Sequence, residues 1–376
     1  MDKDFLNWRW KPDQCELPRF DAKSFLQIVQ GKTVAFIGDS VARNHMESLL
    51  CLLSQEEIPE DIYKDSEDRF RTWYFPRSDF TLKVLWTKFL IAGKTVAFIG
   101  DSVARNHMES LLCLLSQEEI PEDIYKDSED RFRTWYFPRS DFTLKVLWTK
   151  FLIAGEERMI NNGTASGIYD LQLDKVDDGW AKHLPGVDYA IVSSGHWFFR
   201  ILYLHEGDNV VECVYCNEPN VTGHHVEFAV QMSFRATFNY INDCKNCSGL
   251  VTLLRTFAPA HFEHGAWNTG GYCNRTGPFN ETHEIDIASS EWKVRNAQIE
   301  EVERARKVGK NQGKRFGVLD VTRAMLMRPD GHPGEHYGEK WQGGAKDCVH
   351  WCMPGPIDTW SEIFMAVLRD QAGMSS

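Results

Sequence analysis

Four runs of consecutive apolar residues predict buried strands. They are Thr95–Ile99 (repeated at Thr33–Ile37), Val187–Val192, Leu250–Phe257 and Phe316–Val321. Such runs, without polar alternation, are typical of parallel strands covered on both faces. Helical patterns separate them, at Ser102–Gln117, roughly Val226–Ile241 and Ser289–Lys307. Strands that alternate with helices predict a doubly wound α/β sheet, with functional residues outside the carboxyl ends of the strands.

An internal repeat dominates the organisation of the chain. Residues 31–92 recur without one change as residues 93–154. Solenoid repeats are shorter, diverge and come in longer series, so an identical pair indicates a recent tandem exon duplication or a gene-model error. We predict a remnant N-terminal segment at 1–30, an extra copy at 31–92 and one α/β domain at 93–376. The second copy is favoured for that domain because it keeps the later connections short, but the sequence leaves the first copy open.

The predicted helix Ser102–Gln117 has one apolar face. Its stripe consists of Val103, His107, Met108, Leu111, Leu112 and Leu115. Residues three or four apart share a helix face, and Cys113 falls on the opposite side. We therefore expect Cys113 to be a free thiol or the partner of a cysteine that this chain does not carry.

Charge and composition exclude several classes of function. The chain has 42 basic and 54 acidic residues, for a net charge of −12, whereas a protein that coats nucleic acid needs a basic surface. A neutral or small substrate fits better. The longest apolar stretch, near residues 84–100, is interrupted by Lys88 and Lys94, and a membrane span needs about 18 uninterrupted apolar residues.

Cysteines and glycosylation motifs indicate an oxidising compartment. Ten cysteines and five N-x-S/T motifs are present, the motifs at Asn162, Asn220, Asn246, Asn274 and Asn280. The pairs Cys213/Cys216 and Cys244/Cys247 could bind zinc or form disulfides. The 27 residues between the pairs lie outside the common zinc-ribbon spacing, so we favour disulfides and expect no metal. The chain opens without a signal peptide or an anchor, so the secretory lumen is expected from these features alone.

Candidate catalytic residues follow the predicted strands. Ser102 (Ser40 in the other copy) stands in Gly-Asp-Ser at a strand–helix junction, where a serine hydroxyl is exposed at a helix N-terminus. A serine nucleophile needs a base, and His350 could serve, oriented by Asp347 in the same turn. Gly-Asp-Ser alone also fits a simple helix N-cap. Together the residues form a Ser-His-Asp hypothesis.

Tryptophans cluster in the same segments. Trp197 follows the second strand, Trp267 the third, and Trp351 lies beside His350. Most such rings are packed in cores, but exposed aromatic rings also stack on sugars in glycan-binding clefts. Trp360 follows in the same segment as Trp351, and we expect one or two of these rings to contact a saccharide, with Trp197, Trp267 and Trp351 as the candidates.

These motifs identify a family resemblance over nearly the whole chain. The chain resembles the plant trichome birefringence-like proteins, polysaccharide O-acetyltransferases with an SGNH/GDSL-type (PC-esterase) domain. The stretches that carry the resemblance are Trp8–Phe20, Gly100–Leu115, Ser194–Trp197, Arg255–Thr276, Leu319–Gly334 and Asp347–Trp360. Within the family, the sequence is most similar to the branch that acetylates xyloglucan, followed by the branch that acetylates xylan.

The resemblance implies an SGNH-like three-layer sandwich and a catalytic domain at 93–376. It implies a triad of Ser102 (or Ser40), His350 and Asp347 that transfers an acetyl group through a Ser acetyl-enzyme. Gly195 is expected by position to supply part of the oxyanion hole. The expected partners are a hemicellulose acceptor and either an acetyl donor (acetyl-CoA or another carrier) or a membrane protein that supplies the donor. No bound cofactor is expected.

The resemblance also implies a location in the Golgi lumen, with membrane attachment only through an N-terminal anchor that this chain lacks. Without the segment that follows such an anchor, Cys15, Cys113 and either Cys348 or Cys352 are expected to lack partners. Two other functions use the same residues. An esterase would release acetate to water, and a wall-polysaccharide-binding protein would have an inactive site.

Overall fold

The computed structural model describes residues 20–38, 40–64, 70–86, 92–160, 163–219, 221–280, 282–337 and 346–371. The chain divides into two compact units, Met1–Leu90 and Ile91–Ser376, called here the small unit and the large unit. Within the described ranges, no helix is both long enough and apolar enough to cross a membrane.

Among its described residues, the small unit has one four-stranded sheet and two helices. Its elements are α1 (Ala22–Ile28), β1 (Thr33–Gly38), α2 (Ser40–Leu53), β2 (Glu60–Lys64), β3 (Phe70–Phe75) and β4 (Phe80–Trp86). The strand order is β1-β4-β3-β2, with β1 parallel to β4 and the other pairs antiparallel. Met46 and Leu53 of α2 pack on Phe75, Phe80 and Leu82 of the sheet.

The large unit contains twelve strands and six α-helices among its described residues. The first elements are β5 (Thr95–Gly100), α3 (Ser102–Ser116), β6 (Glu122–Lys126), β7 (Phe132–Phe137), β8 (Phe142–Trp148), β9 (Ile153–Ile160), β10 (Thr164–Val176), α4 (Asp178–Ala181) and β11 (Tyr189–Ser193). The remaining elements are β12 (Ile201–Glu206), β13 (Asn209–Val214), β14 (Thr222–His224), α5 (Val226–Asp243), β15 (Val251–Arg255), α6 (Ser290–Gly309), β16 (Arg315–Leu319), α7 (Thr322–Leu326) and α8 (Asp358–Gln371).

A seven-stranded sheet forms the middle layer of the large unit. Its order is β16-β15-β11-β5-β8-β7-β6, and the five strands from β16 to β8 are parallel. Side chains alternate between the faces of a strand. Val96 and Phe98 of β5 therefore pack with α3 and α8, whereas Ala97 and Ile99 face the cluster that includes α5 and α6. The result is the expected three-layer α/β sandwich.

A second sheet extends the layer on the α5 side. Its order is β14-β13-β12-β10-β9, and Tyr169, Leu171 and Leu204 from its strands join the same core cluster as α5. The sequence patterns did not predict this sheet. Polar residues or glycine interrupt β9, β10, β13 and β14, so they lack the continuous apolar runs by which buried parallel strands are recognised, and the short run Ile201–Leu204 of β12 was overlooked.

The predicted elements of the large unit are confirmed. The four apolar runs form β5, β11, β15 and β16, and the three helical patterns form α3, α5 and α6. Four members of the α3 stripe, Val103, His107, Met108 and Leu111, are at most 5% exposed, while Cys113 is exposed as expected.

The two identical segments fold alike but are buried differently. In both, the first strand pairs with the last in the same register, Thr33 with Thr81 and Thr95 with Thr143. Only β5 also pairs with β11. Ala97 is therefore fully buried, whereas its equivalent Ala35 is exposed. In this structure the second copy occupies the central sheet of the large unit.

Three disulfides join cysteines of the large unit. Cys213 pairs with Cys216 and Cys244 with Cys247, as expected. The third bond joins Cys273 to Cys348, which are 75 residues apart. Of the two cysteines given as alternatives, Cys348 therefore has a partner and Cys352 is the one that lacks it. Cys352 is free, and Cys15 lies outside the described residues.

Burial of the second copy predicts unequal costs for the same substitution at equivalent positions. Phe98 is fully buried, so Phe98→Ala is expected to destabilise the large unit by about 3–5 kcal/mol. Phe36→Ala, its match in the first copy, changes a partly exposed ring and should leave the large unit unaffected. The stability of the large unit in both variants is measured by chemical denaturation, with the hydrogen-exchange protection of the β15 amides as the readout. Equal protection losses would contradict the assignment of the second copy to the central sheet.

Candidate active site

The carboxyl ends of β5 and β11 come unusually close together. Gly100 ends β5 with φ of +151°, and a Cβ placed there would lie 1.6 Å from the carbonyl oxygen of Ser193. Only glycine fits this close approach. The glycine therefore allows the strand to turn directly into α3, with Asp101 and Ser102 at the sheet edge.

Asp101 connects α3 to the end of β11. Its carboxylate is 1% exposed and accepts hydrogen bonds from the backbone N–H of Val103 at 3.0 Å and of Ala104 at 3.4 Å. It also accepts the N–H of Gly195 at 3.0 Å. The N-cap interpretation of Gly-Asp-Ser thus holds for the aspartate. Ser102 remains partly exposed while Asp101 and Val103 are buried, so its hydroxyl is available at the helix N-terminus.

Gly195 has a different role from the one expected. Its N–H is directed at Asp101, so the structure gives it a structural contact and not the oxyanion contact inferred from its position. A Cβ at Gly195 would also lie 2.4 Å from the ring of Phe257. Glycine is required here by packing.

Asp347 and His350 form the expected pair. His350 Nδ1 donates to Asp347 Oδ2 at 2.8 Å, and the backbone N–H of His350 and of Val349 donate to Asp347 Oδ1 at 2.9 and 3.0 Å. Because a carboxylate only accepts hydrogen bonds, Nδ1 carries the proton and Nε2 is the basic atom of the neutral ring.

Burial and hydrogen bonding act in opposite directions on this pair. Burial alone would lower the pKa of His350, but the hydrogen bond and charge of Asp347, with the charge of Asp101, raise it above its usual value. Burial alone would raise the pKa of Asp347, but the His350 contacts lower it. Asp347 is therefore the anion, and His350 has increased basicity.

Asn106 fixes this loop to α3. Its side chain accepts the N–H of Trp351 at 2.8 Å and donates to the carbonyl oxygen of Trp351 at 3.2 Å. Asn106 lies four residues after Ser102, about one helical turn. Since Trp351 follows His350 directly, the structure brings Ser102, Asp347 and His350 to the same end of α3.

Two histidines, His261 and His332, also support this loop, and neither of them was assigned a role from the sequence. His332 Nδ1 donates to the carbonyl oxygen of His350 at 2.7 Å, and His261 Nδ1 lies 2.8 Å from His332 Nε2. Burial lowers the pKa of His332 to about 3, so the ring is neutral. His261 lies in the segment Arg255–Thr276 and His332 in Leu319–Gly334. Nothing in these segments shows whether a histidine supports the loop or takes part in catalysis.

The three candidate tryptophans have different surroundings. Trp351 is 2% exposed and packs against His332 at 4.3 Å. A buried ring cannot stack on a sugar, so Trp351 belongs to the rings that pack in the core and is removed from the saccharide-binding candidates. Trp197 is partly buried in the turn after β11, and Trp267 is 47% exposed. In the first copy, Ser40 begins α2, but its side chain lies outside the described part of the structure.

Comparison with known proteins identifies the family. The model of the PC-Esterase family, described as the GDSL/SGNH-like acyl-esterase family found in Pmr5 and Cas1p, matches residues 91–367 and also residues 17–94. The chain belongs to the PC-esterase family. Its fold is accordingly of the SGNH-like α/β type, and the second match covers the first copy of the repeat.

Similar plant proteins of this family are named as xyloglucan O-acetyltransferases. Xyloglucan O-acetyltransferase 4 of Populus trichocarpa is 54% identical over 98% of this chain and 72% of its own length. Xyloglucan O-acetyltransferase 3 of Populus trichocarpa is 49% identical over 99% of this chain and 77% of its own length. Xyloglucan O-acetyltransferase 2 of Arabidopsis thaliana is 48% identical over 98% of this chain and 74% of its own length.

The contact between Asn106 and Trp351 gives a prediction for this PC-esterase. Asn106→Ala would leave a buried N–H and a buried C=O of Trp351 unpaired, at about 1–3 kcal/mol for each group, and would release the loop that holds His350. We expect a large loss of kcat with little change in KM for a small acyl ester. The control is Asn44→Ala, the same change at an exposed position of the first copy. Equal activity in the two variants would show that Asn106 does not position the loop.

Proposed function

We propose that the protein is a polysaccharide O-acetyltransferase that moves an acetyl group through Ser102 onto a hydroxyl of xyloglucan. The observation that carries this proposal is the attachment of the Asp347–His350 pair to α3, one turn from Ser102. The named function of relatives about half identical to this chain supports both the acetyl group and the xyloglucan acceptor. Xylan is the next acceptor to test.

The residues support a two-step reaction. In the first step, His350 removes the proton of the Ser102 hydroxyl, whose oxygen attacks the acetyl carbonyl of the donor. The donor's leaving group departs with a proton from His350, and Ser102 becomes an acetyl ester. In the second step, His350 deprotonates a sugar hydroxyl, which attacks the ester and regenerates the serine.

Fixed groups of the protein stabilise the two charges that develop during the reaction, a positive charge on His350 and a negative charge on the carbonyl oxygen. Asp347 stabilises the His350 imidazolium that forms in each step. The N-terminus of α3, with the N–H of Ser102, faces the developing oxyanion. The acetyl donor is an activated ester or thioester, either acetyl-CoA or another acetyl carrier.

The family description itself favours a second candidate function, since it names acyl esterases. An esterase uses the same residues, with water in place of the sugar hydroxyl. The two reactions differ in how well the site excludes water and orients the acceptor. Free acetate without acetylated sugar would identify the esterase.

We further propose that the protein works as a glycoprotein in the Golgi lumen. Asn246, Asn274 and Asn280 of the glycosylation motifs are exposed, and the three disulfides fit an oxidising compartment. Asn162 and Asn220 lie outside the described residues. Digestion of the secreted protein with an N-glycosidase tests the glycans.

The two copies provide a matched test of the nucleophile. We expect Ser102→Ala to abolish acetylation of xyloglucan oligosaccharides, because Asn106 of the second copy binds the loop that carries Asp347 and His350. Ser40→Ala should retain full activity. Mass spectrometry of the sugars measures both. Loss of activity in Ser40→Ala alone would assign the reaction to the first copy, and activity in the double variant would exclude both serines.

The pKa of His350 predicts the pH profile. Only the neutral imidazole is a base, so kcat/KM should fall as pH falls through the raised pKa, above the usual value of about 6.5. Asp347→Asn removes the contacts that raise this pKa, so the acidic limb should move to lower pH. The rate should drop by about 10⁴-fold, as in a Ser-His-Asp protease. An unchanged limb would show that Asp347 does not set the basicity of His350.

A further inference from the structure

Arg200 is held between two tryptophans beside the candidate active site. The centre of its guanidinium lies 4.5 Å from the ring centroid of Trp197 and 4.4 Å from that of Trp267. Stacking of a guanidinium on aromatic faces is favourable and fixes the plane of its donors. Arg200 is thus a positioned cation, unlike a flexible surface arginine.

The donors of Arg200 are not used by the protein. Its guanidinium makes no hydrogen bond or ion pair with the part of the chain that the structure describes, and its Nε is buried without a partner. Burial lowers the pKa of Arg200, opposed by the charge of Glu157. The two Nη groups of Arg200 are not buried, so their N–H groups can donate to oxygen acceptors of a ligand.

The position of Arg200 relates it to the nucleophile. Trp197 lies two residues after Gly195, whose N–H binds Asp101, the neighbour of Ser102. Between them, His196 Nε2 donates to the carbonyl oxygen of Ala258 at 2.9 Å, which anchors the turn. Arg200 therefore follows the same turn after β11 that is tied to Asp101 at the start of α3.

A cavity continues from this cluster. Trp148 packs edge-on against Trp197 at 6.3 Å, and Lys150 Nζ lies 4.7 Å from the Trp197 centroid. Trp148 and Lys150 also line a cavity of 950 Å³ that extends between β9, β10 and α5. Aromatic and cationic groups thus run without interruption from the exposed Trp267 to this cavity.

The charges of the cavity distinguish between ligand classes. Five acidic and four basic side chains line it, so a polyanion such as a nucleotide-bearing donor gains no net attraction there. Carboxylates and cations side by side suit a ligand with many hydroxyl groups, which both donate and accept. A neutral oligosaccharide is such a ligand.

We propose that Arg200, fixed between Trp197 and Trp267, binds adjacent hydroxyl groups of the acceptor polysaccharide and that the 950 Å³ cavity holds its flanking sugars. The planar fork of the guanidinium can contact two neighbouring oxygens at once, and the open side of Trp267 covers a sugar face. This inference rests on the proposed acetyl transfer to a polysaccharide and specifies where the acceptor lies.

The test measures binding directly. The Kd of an unacetylated xyloglucan oligosaccharide is measured by calorimetry for the unaltered chain and for Arg200→Lys, which keeps the charge but loses the fork. Arg158→Lys is the matched control. Arg158 also stacks on an aromatic ring, 3.7 Å from the Tyr203 centroid, but is paired with Asp170 in the second sheet. We expect the Kd to rise roughly tenfold or more for Arg200→Lys and to stay unchanged for Arg158→Lys.

Other outcomes decide against the proposal. An unchanged Kd in Arg200→Lys, an equal loss in the control, or no binding by the unaltered chain would overturn it. Displacement of the oligosaccharide by coenzyme A would also overturn it, because the site would then belong to the donor. If Arg200→Lys does not fold, Trp267→Ala decides, since its ring is 47% exposed and its removal should weaken binding without unfolding the chain.

The same experiment separates this proposal from the proposed function. Hydrolysis of a small acetyl ester, compared in the unaltered chain and in the control Arg158→Lys, measures the serine chemistry separately, because that reaction needs no acceptor. Sugar binding that depends on Arg200, without any acetyl transfer, would contradict the transferase and retain the binding site. Acetyl transfer with binding independent of Arg200 would retain the transferase and remove the site.

Discussion

The buried carboxylate of Asp101 is the interaction on which the candidate site depends. It accepts two backbone N–H groups at the start of α3 and a third from Gly195 after β11. A buried carboxylate must be fully hydrogen-bonded to be tolerated. Satisfying it therefore requires β5, α3 and β11 to meet at one point, and Ser102 occupies that point. The same charge also raises the pKa of His350, so one side chain influences both the placement of the serine and the basicity of the histidine.

The loop that carries Asp347 and His350 is fixed independently on several sides. Asn106 holds it to α3, and His332 holds it through the carbonyl oxygen of His350. The Cys273–Cys348 disulfide anchors the residue directly after Asp347. Catalytic groups must be held in place before the reaction for electrostatic stabilisation to be effective. The long sequence separations of these contacts show that the site is assembled by the fold and not by local sequence.

The sequence predicted what depends on local pattern. Continuous apolar runs located β5, β11, β15 and β16, and the stripe on α3 identified its buried face, because periodicity follows directly from backbone geometry. The contact between Asp347 and His350 lies within one turn and could therefore also be predicted from the sequence. Contacts between distant segments could not be predicted in this way. The burial of Trp351, the use of the Gly195 N–H by Asp101 and the pairing of Cys273 with Cys348 each depend on residues far apart in the chain. Arg200 was overlooked because nothing in its neighbourhood signals two tryptophans that meet only in three dimensions.

Acetylation of Ser102 is the central claim and can be observed directly. Trypsin would release the same peptide from residues 33–43 and 95–105, so the measurement uses the Ser40→Ala chain, in which the two peptides differ in mass. The protein is exposed briefly to an activated acetyl ester without sugar, quenched in acid, digested and analysed by mass spectrometry. Our account predicts one acetyl group on Ser102 in the peptide 95–105, lost when xyloglucan oligosaccharide is added before quenching. An acetyl group on any other residue would contradict this account. So would a Ser40→Ala chain that turns over the ester without a label on peptide 95–105, together with full activity in Ser102→Ala.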